Sequence, residues 1–177
     1  MKKLLVTLTA VLVSAATYAQ GTITFSTFVP GAANVDARVQ RQDGTGAGPS
    51  VNGQLFLLSG GTYTALTPAT TFRDGSSNPT AAFYVVPPAS AVTVPGVAAN
   101  TQATIVLRAW EGASFDTAVV KGESAPLTLT LGGTPAVGAP LPPAFLSGLQ
   151  GFTLVPEPST LALGLLGAAA LLYRRRN

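Results

Sequence analysis

The sequence of 177 residues contains neither cysteine nor histidine, and only 10% of its residues are charged. Without cysteine the chain cannot form disulfides or carry a lipidated thiol. Without either residue it has no Ser-His-Asp or Cys-His nucleophile system and no thiolate or imidazole ligand for a metal. We therefore expect no enzymatic activity, no cofactor and no metal site. The length suits one domain with terminal appendages.

The formal net charge of +3 comes from the two ends of the chain. Two lysines follow the first residue and three arginines precede the last one, whereas residues 20–155 carry five basic and six acidic side chains. This central segment is close to neutral and has no basic stripe that could neutralise phosphates. We predict that the protein has no nucleic-acid partner.

Residues 1–19 have the three parts of a secretory signal peptide in the right order. Two lysines are followed by a largely apolar run at residues 4–16 and then by small side chains before Gln20. This pattern predicts export by the general secretion machinery and cleavage by signal peptidase between Ala19 and Gln20. The alternative is that the segment is a buried amphipathic helix.

The other end of the chain predicts a short membrane helix over residues 159–173. Residues 161–173 are uncharged, and Arg174, Arg175 and Arg176 follow at once. Thirteen helical residues span about 20 Å, against about 30 Å of bilayer hydrocarbon, so this helix would be a marginal anchor. The arginines form a membrane stop that should stay on the cytoplasmic side. Both ends of the chain would then lie inside while the middle is exported.

The segment before this helix reads Val155, Pro156, Glu157 and Pro158. Together with the apolar helix and the arginine cluster it resembles the PEP-CTERM sorting signal, which would occupy residues 156–177. The prolines favour an extended backbone that is open to a processing enzyme. Glu157 would place a negative charge at the helix N-terminus, where the helix dipole favours it.

The resemblance implies recognition by an exosortase, a membrane-embedded transpeptidase-like enzyme of Gram-negative-type bacteria. It further implies an inner-membrane intermediate, removal of the tail, and transfer to the cell envelope or outer surface, which is often linked to exopolysaccharide. The alternative is a tail anchor that is never cut. For the exported part we predict a structural or adhesive role. The competing hypotheses are a carbohydrate-binding module and a hydrolase that uses carboxylates.

Residues 20–155 predict one secreted all-β domain, an antiparallel sandwich of the Ig-like or jelly-roll-like kind. Polar and apolar residues alternate in short runs, and turn residues recur about every ten positions. A proline- and glycine-rich linker is predicted at residues 132–143, and the glycine-rich loop 43–49 is not expected to pack. The predicted strands are residues 21–26, 34–40, 54–58, 62–66, 80–86, 91–94, 102–110, 115–120, 127–131 and 149–155, with residues 59–61 as a hairpin turn.

Three acidic residues are the candidates for catalysis or for calcium binding: Glu111, Asp116 and Asp74. Two carboxylates about 5–10 Å apart in a cleft can hydrolyse a glycosidic bond. Carboxylate oxygens are also the ligands that Ca²⁺ prefers, although no calcium-loop motif is present. The alternative is that these residues are solvated turn residues, as acidic residues beside glycine usually are.

Four aromatic residues could form an exposed platform on which a sugar stacks, namely Trp110, Tyr63, Phe83 and Tyr84. Arg108 falls on the same strand face as Trp110 and could make a cation–π contact with it or cover a sheet edge. The alternative, which is the more common fate of such residues, is packing in the core.

Overall fold

The computed structural model describes residues 20–156, which form an all-β domain with several sheets. The predictions for residues 1–19 and 157–177 lie outside the described residues. They comprise the signal helix, Ala19 and the short membrane helix, together with Glu157, Pro158 and the three arginines. Among residues 20–156, no helix has the length and apolar character needed to cross a bilayer.

The domain contains fourteen strands and one short 3₁₀ helix at Pro79–Phe83. The strands are β1 (Gln20–Thr24), β2 (Phe28–Val29), β3 (Val35–Asp36), β4 (Val39–Gln40), β5 (Val51–Ser59), β6 (Thr62–Ala65), β7 (Thr70–Thr71), β8 (Val92–Ala98), β9 (Gln102–Glu111), β10 (Val120–Glu123), β11 (Leu127–Thr130), β12 (Ala144–Phe145), β13 (Phe152–Thr153) and β14 (Val155–Pro156).

The largest sheet has seven strands in the order β14-β10-β9-β5-β6, with β11 also paired to β9 and β7 to β5. A three-stranded sheet has the order β12-β1-β8, and two further pairs are β13-β4 and β2-β3. Most pairs are antiparallel, but β1 runs parallel to β12 and β13 runs parallel to β4. The predicted all-β class is confirmed, whereas a purely antiparallel arrangement is wrong because the chain brings β12 and β13 back alongside early strands.

One hydrophobic core joins the two larger sheets. Ile105 and Leu107 of β9 are fully buried, and so are Ile23 of β1 and Val92 of β8, all in the same cluster. The side chains of β9 alternate as predicted, because successive residues of a strand point to opposite faces of the sheet. The further assignment to an Ig-like or jelly-roll-like sandwich stays a prediction.

The predicted hairpin is formed by β5 and β6. Gly60 and Gly61 connect the strands with φ angles of +56° and +80°. These are the left-handed conformations that a two-residue type I′ turn requires and that glycine adopts without a Cβ clash.

Two of the predicted strands are wrong. Residues 80–86 were expected to be a strand, but a 3₁₀ helix begins at Pro79, and the Asn78 side chain caps it by accepting from the Thr80 N–H. Residues 115–120 were also expected to be a strand, but β10 starts only at Val120. Residues 113–119 form a loop in which the Ser114 and Thr117 hydroxyls are 2.7 Å apart. Local hydrogen bonds of this kind compete with strand pairing.

Two glycine-rich segments pack more closely than their composition suggests. In the loop at residues 43–49, Ala47 is buried, and a Cβ added to Gly46 would lie 2.5 Å from the Ala82 carbonyl carbon, so the expectation that this loop does not pack is wrong. In residues 132–143, Gly133 and Leu141 exchange two backbone hydrogen bonds that close the segment into a loop.

Candidate functional site

The C-terminal end of the domain is held against β4 and β10. The Phe152 N–H donates to the Arg38 carbonyl at 3.0 Å, and the Leu154 N–H donates to the Gln40 carbonyl at 2.7 Å. The Leu154 side chain is 1% exposed and belongs to the core. Leu154 is therefore the last residue whose side chain is buried in the domain, and the chain reaches the surface directly after it.

Strand β14 forms the edge of the seven-stranded sheet. Val155 pairs with Lys121, and Pro156 pairs with Val120. The Val155 side chain is 47% exposed, and Pro156 is also exposed. Because proline has no N–H, it cannot donate a ladder hydrogen bond to a neighbouring strand. Two of the predicted sorting-motif residues, Val155 and Pro156, thus lie exposed on the outer strand of this sheet within residues 20–156.

At the opposite end of the described chain, Gln20 is the first residue of β1 and pairs with Ala98 of β8. The predicted signal-peptidase site therefore adjoins the first strand of the domain.

The four-residue aromatic platform is not formed. Trp110 and Tyr84 are only 6% and 4% exposed, respectively. Trp110 packs edge to face on Phe115, with ring centroids 6.2 Å apart, whereas Tyr84 packs on Phe28 at 4.7 Å. Tyr84 follows the 3₁₀ helix into a different part of the domain. The hypothesis of an exposed platform was wrong because the loop after β9 covers Trp110 and because residues 80–86 do not form the expected strand.

Arg108 lies at the centre of an aromatic cluster instead. Its guanidinium carbon is 3.6 Å from the ring centroid of Tyr63, 4.5 Å from that of Phe115 and 4.9 Å from that of Phe56. Its Nε–H donates to Glu123 Oε2 at 2.8 Å, and only 14% of its side chain is exposed. The predicted cation–π interaction of Arg108 is thus made, but with these three rings and not with Trp110.

A pocket of about 290 Å³ opens beside Arg108. Its lining residues include Gln54, Tyr63, Trp110, Phe115 and Asp116. The Trp110 indole N–H is buried and has no hydrogen-bond partner within residues 20–156. Burial of an unpaired polar group is costly.

The three acidic candidates occupy separate environments. Glu111 accepts hydrogen bonds from Arg41 and Ser50, Asp74 accepts from its neighbour Ser76, and Asp116 lines the pocket beside Arg108. Glu111 is not among the residues that line this pocket. Within residues 20–156, no three acidic side chains come together in a way that could hold a metal ion.

A second charged cluster connects Asp36, Arg38 and Tyr84. The Tyr84 hydroxyl donates to Asp36 Oδ1 at 2.7 Å, and Arg38 Nε donates to the same atom at 3.2 Å. The Tyr84 hydrogen bond is the main cause that holds the pKa of the Asp36 carboxyl below its ordinary value, with Arg38 adding to it. Burial and the nearby carboxylate raise the pKa of Tyr84.

We expect Tyr84→Phe to raise the pKa of Asp36. A carboxyl group whose pKa is lower in the folded protein than in the unfolded chain stabilises the fold at pH values above its pKa in the unfolded chain, which is about 4. This stabilisation is lost as the pH falls through the pKa of the group in the folded protein. The variant should therefore lose less stability than the parent when the pH is lowered below about 4. NMR titration of the carboxyl carbons and urea unfolding across this range measure both effects. Tyr63→Phe is the control, and an unchanged Asp36 pKa in Tyr84→Phe would contradict the assignment.

Comparison with protein families identifies the C-terminal segment. Residues 154–176 match the PEP-CTERM protein-sorting motif. No curated protein and no solved structure matches the chain. The protein is therefore one that carries a C-terminal sorting signal. That signal is the PEP-CTERM motif, which implies exosortase-dependent export to the cell envelope.

Sequence reasoning found the sorting motif and the strand face shared by Arg108 and Trp110, but it missed Phe115, Phe56 and Glu123. A signal for Glu123 was present, since it is a charged residue in a segment that could pair with β9. Its place opposite Arg108 follows from the register of β9 and β10, which the sequence alone leaves open.

Proposed function

We propose that this protein is a structural or adhesive component of the bacterial surface, exported through a signal peptide and released from its membrane intermediate when an exosortase removes the tail. The β domain then remains in the envelope or in the exopolysaccharide around it and acts there without catalysis. The observation that carries the proposal is the position of the sorting motif, whose match begins at Leu154, the last core residue.

This position separates the folded domain from the part to be removed. Cleavage beyond Leu154 would leave every core side chain in place, because Val155 and Pro156 are exposed. Cleavage after Ala19 would likewise leave Gln20 at the start of β1. Both proposed processing sites thus lie at the boundaries of the domain, and processing requires no unfolding of it.

The structural role is supported by the way in which the charged side chains are used. Glu111 is paired with Arg41, Glu123 with Arg108 and Asp36 with Arg38. Arg41 also donates to the Ala47 carbonyl and to Ser50 and so fastens the loop at residues 43–49. Charges that tie loops and strands together stabilise a scaffold, and they are not arranged around a common reacting centre.

Intact-mass measurement of the mature protein from the cells that produce it tests the proposal. We expect a polypeptide that begins at Gln20 and ends before residue 159. Pro156→Ala combined with Pro158→Ala should retain the tail, because prolines favour the extended backbone that we expect a processing enzyme to recognise. Pro142→Ala combined with Pro143→Ala, a change in the body of the chain, is the matched control. A mature mass that still contains residues 159–177 would mean that the tail is a permanent anchor.

A further inference from the structure

We propose that the pocket beside Arg108 binds a single uncharged sugar residue of a polysaccharide. This inference deepens the proposed matrix role and rests on it for the biological setting, but it concerns a site and a ligand class that the sorting motif does not specify. The site lies on the face of the seven-stranded sheet where Arg108 and Trp110 of β9 meet Tyr63 of β6 and the loop that carries Phe115 and Asp116.

The first observation is that the Arg108 guanidinium is held in place but does not have hydrogen-bond partners for all of its N–H groups. Stacking on Tyr63 and the Nε–H bond to Glu123 hold it in one orientation. Arginine has five N–H donors, and within residues 20–156 only the one on Nε has a hydrogen-bond partner. Arg108 lines the pocket, and 14% of its side chain is exposed. Donors of a fixed guanidinium are therefore available to a ligand in the pocket.

The second observation is that hydrogen-bond acceptors accompany these donors. Asp116 and Tyr63 line the same pocket, and Asp116 is exposed. A carboxylate only accepts, a guanidinium only donates, and a phenol does both. Adjacent hydroxyl groups of a sugar can donate to the carboxylate and accept from the guanidinium at the same time. A phosphate or a carboxylate ligand could use the donors only and would face Asp116 unfavourably.

The charge balance also favours an uncharged ligand. Of the residues that line the pocket, Arg108 contributes one positive charge and Asp116 one negative charge. The site therefore has no net charge with which to attract an anion. Tyr63 and Phe115 line the pocket and contribute apolar surface for the C–H groups of a sugar ring.

The size of the pocket limits the ligand. Its volume of about 290 Å³ lies just below the usual range for binding pockets, which is about 300–1,000 Å³. This volume suits one sugar residue, with the rest of a polysaccharide chain lying outside on the surface. We expect weak binding by a single residue, with a dissociation constant on the order of 1 mM, and tighter binding of the polymer to many copies of the protein.

The chain contains one tryptophan, Trp110, so tryptophan fluorescence, excited selectively over tyrosine, reports on this pocket. The mature protein is titrated with glucose, galactose, mannose, rhamnose and N-acetylglucosamine, and with galacturonate as the charged probe. We expect a saturable fluorescence change with at least one of the uncharged sugars and a weaker response to galacturonate. Asp116→Ala and Tyr63→Phe should each weaken binding about tenfold, because each removes a hydrogen-bonding group from the pocket.

Asp74→Ala is the matched control, since Asp74 is an exposed acidic residue that bonds only to its neighbour Ser76, and binding should be unchanged in it. Urea unfolding of each variant shows that the fold is kept. The inference is overturned if no uncharged sugar gives a saturable change, if the variants bind as the parent does, or if galacturonate binds more tightly. These outcomes are independent of the mature mass, so failure of the sugar site and failure of the proposed processing can be told apart.

Discussion

Leu154→Ala should lower the free energy of unfolding by about 2–5 kcal/mol, the usual cost of truncating a fully buried leucine. The Leu154 side chain is 1% exposed and packs in the core, and its N–H donates to the Gln40 carbonyl at 2.7 Å. The substitution would leave a cavity where the last strands contact the rest of the domain. Although Leu154 lies inside the matched sorting motif, its main contribution is thus to the stability of the fold.

The neighbouring residue provides the control for this prediction. Val155 is 47% exposed at the sheet edge, so Val155→Ala should change the free energy of unfolding by less than about 1 kcal/mol. Urea unfolding of the two variants, followed by circular dichroism, measures the difference. Equal and small effects would mean that the domain ends before Leu154 and that the residue belongs functionally to the tail.

Gly132→Ala should destabilise the protein by about 3 kcal/mol or more, the upper part of the range for overpacking. A Cβ at Gly132 would clash with the Pro142 carbonyl oxygen and lie 2.7 Å from the Pro143 Cα, and both contacts are with backbone atoms. Gly132 also exchanges two hydrogen bonds with Thr22 of β1, so it cannot move away without breaking them. The close approach exists because residues 132–143 fold back on themselves, which places Pro142 and Pro143 against Gly132.

Val137→Ala in the same loop is the control, because Val137 is 92% exposed and should tolerate the change within about 0.5 kcal/mol. Thermal and urea unfolding compare the two variants. If Gly132→Ala were as neutral as Val137→Ala, residues 132–143 would behave as an extended spacer, and the backbone contacts between Gly132 and the two prolines would not matter for stability.

Much of the fold could be predicted because its strands carry a strong period-two pattern. In β9 the alternation of apolar residues with polar or larger ones predicted a strand at residues 102–110, and the observed strand is one residue longer. The face predicted from Ala103, Ile105, Leu107 and Ala109 is buried, but Val106 and Trp110 on the other face are buried as well. The β5–β6 hairpin was predicted because two consecutive glycines favour a tight turn. The prediction of a strand at residues 80–86 was wrong, although the residue pattern there resembles that of a strand. Asn78 and Pro79 start a 3₁₀ helix, and its local hydrogen bonds replace strand pairing.

The candidate sugar site could be predicted only in part. The alternation in β9 places Arg108 and Trp110 on one face, and this was read from the sequence. The ring nearest to Arg108 belongs to Tyr63, 45 positions earlier in the chain, and Phe115 lies in a loop that was expected to be a strand. Whether these side chains form an open platform or a pocket depends on that loop, and no periodic pattern encodes its path.

The sequence by itself determined the route of this protein to the envelope and the β character of its body. A sorting motif is a short contiguous segment and strand alternation is a local pattern, so neither needs the tertiary structure to be recognised. Only the tertiary structure decided that Leu154 belongs to the core, that Gly132 touches the backbone of Pro142 and Pro143, and that Trp110 lies beneath a loop. The Leu154 contact joins residues far apart in the chain, whereas the other two depend on loop conformation. Strand register and loop conformation are features that composition and periodicity leave free.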